Sequence, residues 1–432
     1  MVDVLTTKYS PQGAGAQLAF LTKPEDDSLF YGDANDNTVK SQFHQSMEKI
    51  TWHANAMMIY PFANSGAGKT QTADISRTPD FMGKCWDLTY WPGLGANTSQ
   101  GVKRSYYVNA RGLAQYVNLS VKVGSQPLFE NDPIRMLLIM DMLGLTKHYK
   151  ENIGLHYTLD SLIEDSSVPS ITITPFAGFP FQIHLQQALN VGTFVAHKLT
   201  CCKQTQPLNK LVLNEVTVKG RGAFYMPIDV STDQIITADS IQSIMAAECY
   251  WVTKPERTSI TSQYREVFYK EWKVGGTQTF EPATKSKEVS FEVSTQGLLH
   301  QVFLMLQFQD DIDNLNWMKC CDDNGNDMAR DAMFYVSDKP REDGLPIKFY
   351  RTVRVSEAFK VKQKRHIYLL FNADVNPLNV TQNTGGQGMG DVNKCKININ
   401  LLPHTKAITA TAIIVETNAF YTEKTSGFRV WG

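Results

Sequence analysis

Apolar and polar residues alternate in short segments along much of the chain, and this pattern constrains the fold more than any other feature. In residues 394–401 every odd-numbered position is apolar and every even-numbered position is lysine or asparagine. Residues 288–294 repeat the alternation with valine and phenylalanine against glutamate and serine. Because successive side chains of a strand point to opposite faces, such segments predict half-buried β-strands.

Further strands are predicted wherever β-branched and aromatic residues cluster between loops rich in Gly, Pro and Asn. In the alternating segment 113–124 we expect Val117, Leu119, Val121 and Val123 to share one face. The predicted strands are residues 50–62, 81–91, 113–124, 170–176, 181–185, 194–202, 211–219, 243–252, 264–272, 289–293, 298–308, 348–361, 364–371, 394–402 and 407–420.

Helices are expected to be few. Apolar residues from Ile134 to Leu145 fall at helical spacing, and Asp132-Pro133 provides a cap and a first turn. A parallel α/β sheet would need a helix between most of its strands, so the sequence favours sandwiches of antiparallel strands. Residues 310–331 form a polar excursion, and the four glycines in residues 383–391 predict a loop without regular structure.

The chain is expected to form two domains, because 432 residues exceed the usual size of a single core. Residues 244–259 begin as an apolar, aromatic strand and end at Lys-Pro-Glu-Arg, where Pro255 disfavours continuation of the strand. This stretch is interpreted as the last strand of a first domain and the start of a linker. The predicted division is an N-terminal arm over residues 1–42, a first β-domain over 43–256, a linker over 257–272 and a second β-domain over 273–432.

Charge and cysteine content exclude several classes of protein. The net charge is −1, so the chain lacks the basic field of a nucleic-acid-binding protein, and we expect no direct contact with nucleic acid. The seven cysteines include two vicinal pairs and no Cys-x-x-Cys spacing, which predicts free thiols in a reducing compartment. We expect no secretory signal, and no apolar run reaches the 18 residues of a membrane span.

One motif resembles a phosphate-binding loop. Residues 63–70 read Ala-Asn-Ser-Gly-Ala-Gly-Lys-Thr, with Ala63 in place of the first glycine. A true loop of this kind opens a helix, but the next ten residues are β-branched, polar and interrupted by Pro79. We therefore prefer a glycine-rich turn, and keep a nucleotide hydrolase using Gly66 to Thr70 as an alternative.

Other candidate sites are weak. The acidic cluster around Gly325 lacks the first aspartate and last glutamate of an EF-hand, which leaves a looser cation site or a solvated loop. The nine histidines lack metal-ligand spacing, and no Gly-x-Ser-x-Gly elbow is present, so we expect no catalytic residue, metal or cofactor. Asn97 and Asn379 are candidate glycosylation acceptors, as formally is Asn118, but without a signal peptide we expect them to be unmodified.

The order of several short motifs resembles the double jelly-roll major capsid proteins of large nucleocytoplasmic DNA viruses, the iridovirus and chlorella-virus class. Asp74 to Arg77, followed by Asp80, is similar to the Ile-Ser-Arg-x-Gly-Asp stretch of that family. Residues 113–124 and the helix after them resemble its strand ending in Ile-Gly-Gly and its next helix. Trp251-Val252 with Glu256-Arg257 resembles Trp-Val-x-Tyr-x-Tyr-Leu-Asp-x-x-Glu-Arg, and residues 407–430 resemble the closing strand and tail.

The chain departs from the family at three points. Pro79 replaces a glycine, and Thr253 replaces the aspartate of the Leu-Asp-x-x-Glu-Arg motif. A Pro-Ser-Gly-x-x-Asn-x-Ser-Arg motif is replaced by the glycine-rich residues 384–390. These differences leave the subfamily open.

The resemblance implies an all-β fold of two tandem eight-stranded jelly rolls, with one or a few short helices in loops. It also implies a structural function without catalysis, in which homotrimeric capsomers of nearly hexagonal outline tile the icosahedral shell of a large double-stranded DNA virus. The implied partners are further copies of the chain, minor capsid and penton proteins, and internal viral membrane proteins beneath the shell. The implied location is the virion, after assembly in the host cytoplasm. A minor or penton-type capsid component and a two-domain β-sandwich glycan-binding protein are the remaining alternatives.

Overall fold

The computed structural model describes residues 54–75, 81–94, 105–123, 126–143, 147–175, 199–214, 236–251, 265–313, 315–316, 319–341, 344–359, 366–373, 387–388, 395–423 and 426–429. Both sandwiches described below belong to one compact unit, Asn55–Gly432. The predicted arm over residues 1–42 and the predicted strand 181–185 lie outside the described residues.

The first half of the described chain contains ten strands: β1 (Ala54–Pro61), β2 (Thr70–Ile75), β3 (Phe81–Trp91), β4 (Ser105–Tyr107), β5 (Tyr116–Val123), β6 (Gln126–Asn131), β7 (Ser170–Pro175), β8 (Leu199–Thr205), β9 (Val212–Asn214) and β10 (Gln242–Trp251). Eight of them form two four-stranded sheets. Sheet 1a has the order β1-β10-β3-β7, and sheet 1b has the order β2-β8-β5-β6. Strands β4 and β9 pair separately.

The second half repeats this arrangement with β11 (Arg265–Phe280), β12 (Lys287–Val293), β13 (Leu298–Phe308), β14 (Ala329–Val336), β15 (Lys339–Pro340), β16 (Ile367–Asn372), β17 (Gln387–Gly388), β18 (Cys395–Leu401), β19 (Ile408–Glu423) and β20 (Ser426–Arg429). Sheet 2a has the order β11-β19-β13-β16, with β17 paired to β13 and β20 paired to β19, and sheet 2b has the order β12-β18-β14-β15.

The two sandwiches have the same topology. If the eight main strands of each sandwich are numbered along the chain, sheets 1a and 2a both have the order 1-8-3-6, and sheets 1b and 2b both have the order 2-7-4-5. In this order the first and last strands are neighbours, as in the Greek keys of an eight-stranded jelly roll. The chain is therefore two jelly rolls in tandem, which confirms the predicted fold class.

Each jelly roll buries its alternating residues between its two sheets. In β18 the residues Cys395, Ile397, Ile399 and Leu401 are buried and those between them are half-exposed, as predicted. The predicted strands 81–91 and 298–308 coincide with β3 and β13. In the segment 113–124, Leu119 and Val121 are buried but Val117 is 40% exposed. A bulge between Tyr116 and Asn118 explains this difference, because it removes Val117 from the alternation.

The described helices lie in connections between strands. They are Arg111–Ala114, Pro133–Leu143, Lys147–Asn152, Leu159–Ser167, Leu208–Leu211, Gln309–Asp313, Ile347–Phe349 and Val355–Ala358, with a 3-10 turn at Ala238–Ser240 and a π-helical turn at Tyr350–Arg354. Pro133–Leu143 matches the predicted helix. The helices at Lys147–Asn152 and Leu159–Ser167 were not predicted, although in the second of them Leu159, Leu162 and Ile163 fall at helical spacing after the capping residue Thr158.

The predicted strand 348–361 is wrong. The chain is helical from Ile347 to Ala358, and the buried residues are Ile347, Tyr350, Val355 and Ala358. Their spacings of three, five and three residues place them on one helical face, because the π-helical turn widens the middle interval. The segment is rich in valine and aromatic residues, and this composition by itself is typical of a strand.

Two smaller expectations are also corrected. Gln387–Gly388, inside the predicted loop 383–391, pairs with Leu298 and Leu299 of β13. The polar excursion 310–331 includes part of a helix and the start of β14. Residues 264–272 were predicted both as a strand and as the end of the linker, and the strand is confirmed, because residues 265–272 form the first half of β11 and pair with β19.

Candidate functional site

The glycine-rich residues 63–70 form the turn between β1 and β2. Thr70 begins a strand rather than a helix, so the helix amides that hold phosphate in a nucleotide-binding loop are missing from this position. The side chain of Gln71 donates to the carbonyl of Gly66 at 2.6 Å, and the Lys69 ammonium pairs with Asp239. The structure therefore contradicts the nucleotide-hydrolase alternative and matches the preferred turn.

Carboxylates within the acidic stretch 310–331 pair with lysines or accept hydrogen bonds from backbone amides. The Lys319 ammonium lies 3.0 Å from Oδ2 of Asp311 and 2.7 Å from Oδ1 of Asp323. Lys406 pairs with the other oxygen of Asp323 at 3.0 Å. The Asp322 carboxylate accepts from two backbone amides of its own turn. In the part of the chain that the structure describes, no group of three or more His, Cys, Asp and Glu side chains has the geometry of a metal site.

Asp327 links the helical segment 347–358 of the second jelly roll to strand β16. One carboxylate oxygen lies 3.0 Å from Nη1 of Arg351, 3.0 Å from Nδ1 of His366 and 2.9 Å from the hydroxyl of Tyr368. Burial alone would raise the pKa of Asp327, but the hydrogen bonds from His366 and Tyr368 and the charge of Arg351 hold the pKa below its ordinary value. This arrangement fixes the packing of the helical segment on β16.

A second charged group holds the helices of the first jelly roll to β7. Arg111 is only 2% exposed, and its Nη2 lies 2.8 Å from the Asp165 carboxylate, which also lies 3.0 Å from Nε2 of His156. The Arg111 guanidinium also contacts the hydroxyl of Ser170 and lies over the ring of Tyr107. The His156–Asp165 pair is thus part of a packing arrangement around a buried arginine.

A buried ion pair joins the two sheets of the first jelly roll. The Lys203 ammonium of β8 lies 2.7 Å from Oδ2 of Asp87 of β3, and both side chains are 0% exposed. The hydroxyl of Tyr116 donates to the same oxygen, and the Lys203 ammonium lies 4.6 Å from the ring centroid of Phe62. Burial lowers the pKa of Lys203, and burial together with Asp87 raises the pKa of Tyr116. The two residues lie far apart in sequence, so no local pattern indicated this pair.

The two jelly rolls meet where β6 lies against β11. Nη1 of Arg135 donates to the carbonyl of Trp272 at 3.0 Å, and the Trp272 ring stacks on Phe303 with 5.6 Å between centroids. A cavity of about 390 Å³ lies beside this contact, lined from both jelly rolls by residues that include Glu130, Arg135, Lys273 and Glu416. Lys273 pairs with Glu416 at 3.5 Å, so charges of both signs meet at the cavity.

The three asparagines of the glycosylation motifs differ in what the structure describes of them. Asn97 and Asn379 lie outside the described residues, so their glycosylation stays a prediction. Asn118 is half-buried in β5 opposite Gln204.

All seven cysteines are free thiols, as predicted, and six of them are buried. Across the described ranges, no helix is long and apolar enough to cross a bilayer.

The outer faces of the sheets differ in chemistry. The outer face of sheet 1b is polar, with Thr200 of β8 opposite Asp74 and Lys122 of its neighbouring strands. The outer face of sheet 2b carries glutamate, serine, lysine and asparagine from β12 and β18. Sheet 1a is different, because apolar residues of four strands face outward. The most exposed are Met57, Ile59, Tyr90, Ile171 and Ile173, at 37–61% exposure.

No protein-family model and no curated protein matches the sequence. Solved structures do match. A chain of the PBCV-1 virus capsid superposes with a TM-score of 0.66 at 12% identity, covering 89% of this chain and 98% of that chain. PBCV-1 VP54, fitted into a reconstruction of the virophage Sputnik, gives a TM-score of 0.67 at 11% identity with the same coverage of both chains.

The Faustovirus major capsid protein gives a TM-score of 0.64 at 9% identity, covering 96% of this chain and 99% of that chain. At such low identity the likeness concerns the fold, and it extends over both jelly rolls of each neighbour. The resemblance inferred from the short motifs is confirmed at this level: the chain has the double jelly-roll fold of the major capsid proteins of large DNA viruses.

Proposed function

We propose that this chain is a major capsid protein, a structural subunit that forms homotrimeric capsomers and tiles the icosahedral shell of a large double-stranded DNA virus. The observation that carries the proposal is the duplication of one jelly-roll topology side by side in a single chain. Three such chains present six similar sandwiches, which suits a capsomer with a nearly hexagonal outline. Solved structures with this fold over nearly the whole chain include a major capsid protein.

Charge and surface support self-association rather than catalysis. The net charge of −1 gives copies of the chain little mutual repulsion. The candidate nucleotide loop leads into a strand, and the acidic stretch is divided among lysines and backbone amides. An exposed apolar face on sheet 1a is the kind of surface that assembling subunits bury.

The finer features of the proposal follow from the resemblance. They are the arm over residues 1–42, the two jelly rolls over residues 43–256 and 273–432 with a linker over 257–272, and the virion as location after assembly in the host cytoplasm. Minor capsid proteins, penton proteins and internal viral membrane proteins would contact the assembled capsomers rather than the isolated chain. Nucleic acid would have no direct contact with this chain.

Native mass and particle shape test the proposal. Purified protein should elute with three times the 48.6 kDa mass of the chain by light scattering. Negative-stain images of the same peak should show particles of nearly hexagonal outline. A protein that stays monomeric at every concentration, with two lobes per particle, would contradict the proposal. Reproducible binding to one class of sugar on a glycan array would then favour the glycan-binding alternative.

A further inference from the structure

We infer that Lys203 and Asp87 condense to an isopeptide bond, which joins β8 to β3 covalently through the interior of the first jelly roll. The contact between the two side chains, their complete burial and the hydrogen bonds that the carboxylate receives all favour such a bond. The bond affects the durability of the folded chain, and it can form whether or not the chain builds capsids.

The two reacting groups are in contact. Nζ of Lys203 lies 2.7 Å from Oδ2 of Asp87, and both side chains are 0% exposed. The carboxyl carbon is bonded to Oδ2, so it lies at most about 4 Å from Nζ. Groups held this close react far faster than the same groups free in solution, because the entropy of bringing them together has already been lost on folding. The fold therefore supplies the positioning that amide formation needs.

The surroundings of Lys203 favour its nucleophilic form. The ammonium must lose a proton before its nitrogen can attack. Burial lowers the pKa of Lys203, and this effect exceeds the opposing influence of the charge and hydrogen bond of Asp87. The ring centroids of Phe62 and Tyr116 lie 4.6 Å and 5.5 Å from Nζ. Desolvation of this kind is one of the ways in which proteins activate lysine as a nucleophile.

Hydrogen bonds activate the carboxyl group of Asp87. The hydroxyl of Tyr116 donates to Oδ2, and Oγ1 of Thr89 donates to Oδ1 at 3.2 Å. Both bonds withdraw electron density from the carboxyl carbon, and the donor at Oδ1 stabilises the negative charge that develops there when the nitrogen attacks. Because the Tyr116 hydroxyl contacts Oδ2, it is the proton donor to the oxygen that leaves.

The condensation conserves atoms and charge and needs no other reactant. The lone pair of Nζ forms a bond to the carboxyl carbon, and the bond from that carbon to Oδ2 breaks with its electron pair on the oxygen. Of the three ammonium protons, two leave with Oδ2 as water, directly or through the Tyr116 hydroxyl, and one stays on the amide nitrogen. Two buried charges are replaced by one neutral amide, which favours the product because charges are costly in a protein core.

The bond cross-links two strands that are distant in sequence. Asp87 and Lys203 lie 116 positions apart, and they belong to the two different sheets of the sandwich. A covalent link that closes such a long loop stabilises a fold by restricting the unfolded chain, as a disulfide does. All seven cysteines are free thiols, and an amide, unlike a disulfide, also persists under reducing conditions.

A second lysine–aspartate pair provides a control within the same chain. Nζ of Lys319 lies 2.7 Å from Oδ1 of Asp323, the same distance as in the buried pair, but Asp323 is 56% exposed. Burial opposes the protonated form of Lys319, yet the hydrogen bonds to Asp323 and Asp311 raise its pKa above the ordinary value. Lys319 therefore stays protonated beside a hydrated carboxylate, and we expect no bond in this pair.

Trypsin digestion of the reduced, unfolded full-length chain, followed by mass spectrometry, tests the inference. Trypsin does not cleave after an acylated lysine, so residues 199–210 should remain one peptide, joined to residues 85–103. The joined peptide should weigh one water less than the sum of its two parts, and fragmentation should place the link at Lys203 and Asp87. Cleavage after Lys319 should be normal. Recovery of residues 85–103 as a separate peptide, with cleavage after Lys203, overturns the inference.

Three variants assign the roles. Lys203→Arg keeps a positive charge beside Asp87 but has no amine to acylate, so its chain should lose no water. Lys319→Arg is the matched control and should keep the link. Tyr116→Phe keeps the ring and removes the hydroxyl, so the linked peptide should appear about 100-fold more slowly after synthesis in a pulse-labelled time course. A Tyr116→Phe chain that links as fast as the wild type overturns the assigned proton donor.

The digest of the wild type decides the inference even if Lys203→Arg does not fold. A wild-type chain that is lighter by one water but is cleaved after Lys203 has lost the water elsewhere, for example at an aspartate that has cyclised to a succinimide, and this result also overturns the inference. None of these results depends on the formation of trimers, so failure of the isopeptide bond and failure of the capsid proposal are observed separately.

Discussion

The Nζ atom of Lys203 lies 2.7 Å from Oδ2 of Asp87, and neither side chain reaches solvent. The pair connects β8 of sheet 1b to β3 of sheet 1a through the interior of the first jelly roll. The rings of Phe62 and Tyr116 lie beside the ammonium, and Thr89 donates to the other oxygen of Asp87. The Asp87 carboxylate accepts hydrogen bonds from Lys203, Tyr116 and Thr89, so the buried pair holds β8 and β3 in a fixed relative position.

Removing one member of this pair should destabilise the protein strongly. Lys203→Met leaves the Asp87 carboxylate buried without its counter-charge, and we expect a loss of about 3–5 kcal/mol in the free energy of unfolding. The double variant Lys203→Met with Asp87→Leu should be more stable than Lys203→Met alone, because no charge remains buried. Urea denaturation of the two single variants and the double variant measures the coupling. Additive effects of the two substitutions would contradict the prediction.

The sequence predicted the strands better than their arrangement. The alternating or continuous apolar segments 81–91 and 298–308 have the bounds of β3 and β13, because burial on one or both faces controls their composition. The Asp87–Lys203 pair had no such signal, since its members lie 116 positions apart on strands of different sheets. The order of strands in the sheets depends on contacts of this range, and it was implied by the family resemblance alone.

Local conformation accounts for the other differences. The bulge beside Val117 turned an inward position outward, and nothing in the alternation marks where a bulge occurs. The π-helical turn at Tyr350–Arg354 gave the segment a spacing that fits neither a regular helix nor a strand. The exposed apolar face of sheet 1a was not located from the sequence either, because apolar residues such as Trp86 and Tyr90 could belong to the core or to an interface until the register was known.

Gly276 should tolerate no side chain. It lies beside the bulge in β11, where a Cβ atom would overlap the carbonyl oxygen of Glu292, and a backbone atom cannot move aside cheaply. We expect Gly276→Ala to lower the free energy of unfolding by about 3 kcal/mol. Gly325→Ala is the control, because its φ of +83° is strained for alanine but no atom lies within 4 Å of the added Cβ.

The control should cost only about 1 kcal/mol, the price of a left-handed backbone conformation in a non-glycine residue. Thermal unfolding of both variants beside the wild type measures the difference. If the two variants were destabilised equally, the close approach of the Glu292 carbonyl oxygen would not be the reason that position 276 requires glycine.

Thiol reactivity should distinguish Cys202 from the other cysteines. Cys202 is half-buried on the outer face of sheet 1b, whereas Cys201 beside it is buried and 1% exposed. Burial and the charge of Asp87 raise the pKa of Cys201 to about 12, which keeps it as an unreactive thiol at neutral pH. Iodoacetamide should therefore label Cys202 first in the native protein, as mass spectrometry of peptides would show.

Unfolding in urea should make all seven cysteines reactive, and Cys202→Ser should remove the fast phase of native labelling. Fast labelling of Cys320 or Cys321 in the native protein would contradict the buried environment of that vicinal pair.

The Asp327 carboxylate should contribute to the loss of stability in acid. Its pKa is held below the ordinary value in the folded protein, so between the folded and unfolded pKa values the unfolded chain binds more protons. Stability from this group is therefore complete above the ordinary aspartate pKa of about 3.9, and is lost as the pH falls through the lower folded pKa. We expect Asp327→Asn to be less stable than the wild type at neutral pH but to lose less stability on acidification.

The exposed Asp310→Asn serves as the control in urea titrations from pH 7 to pH 3. A wild-type stability that falls no more steeply in acid than that of Asp327→Asn would show that Arg351, His366 and Tyr368 do not favour the charged carboxylate.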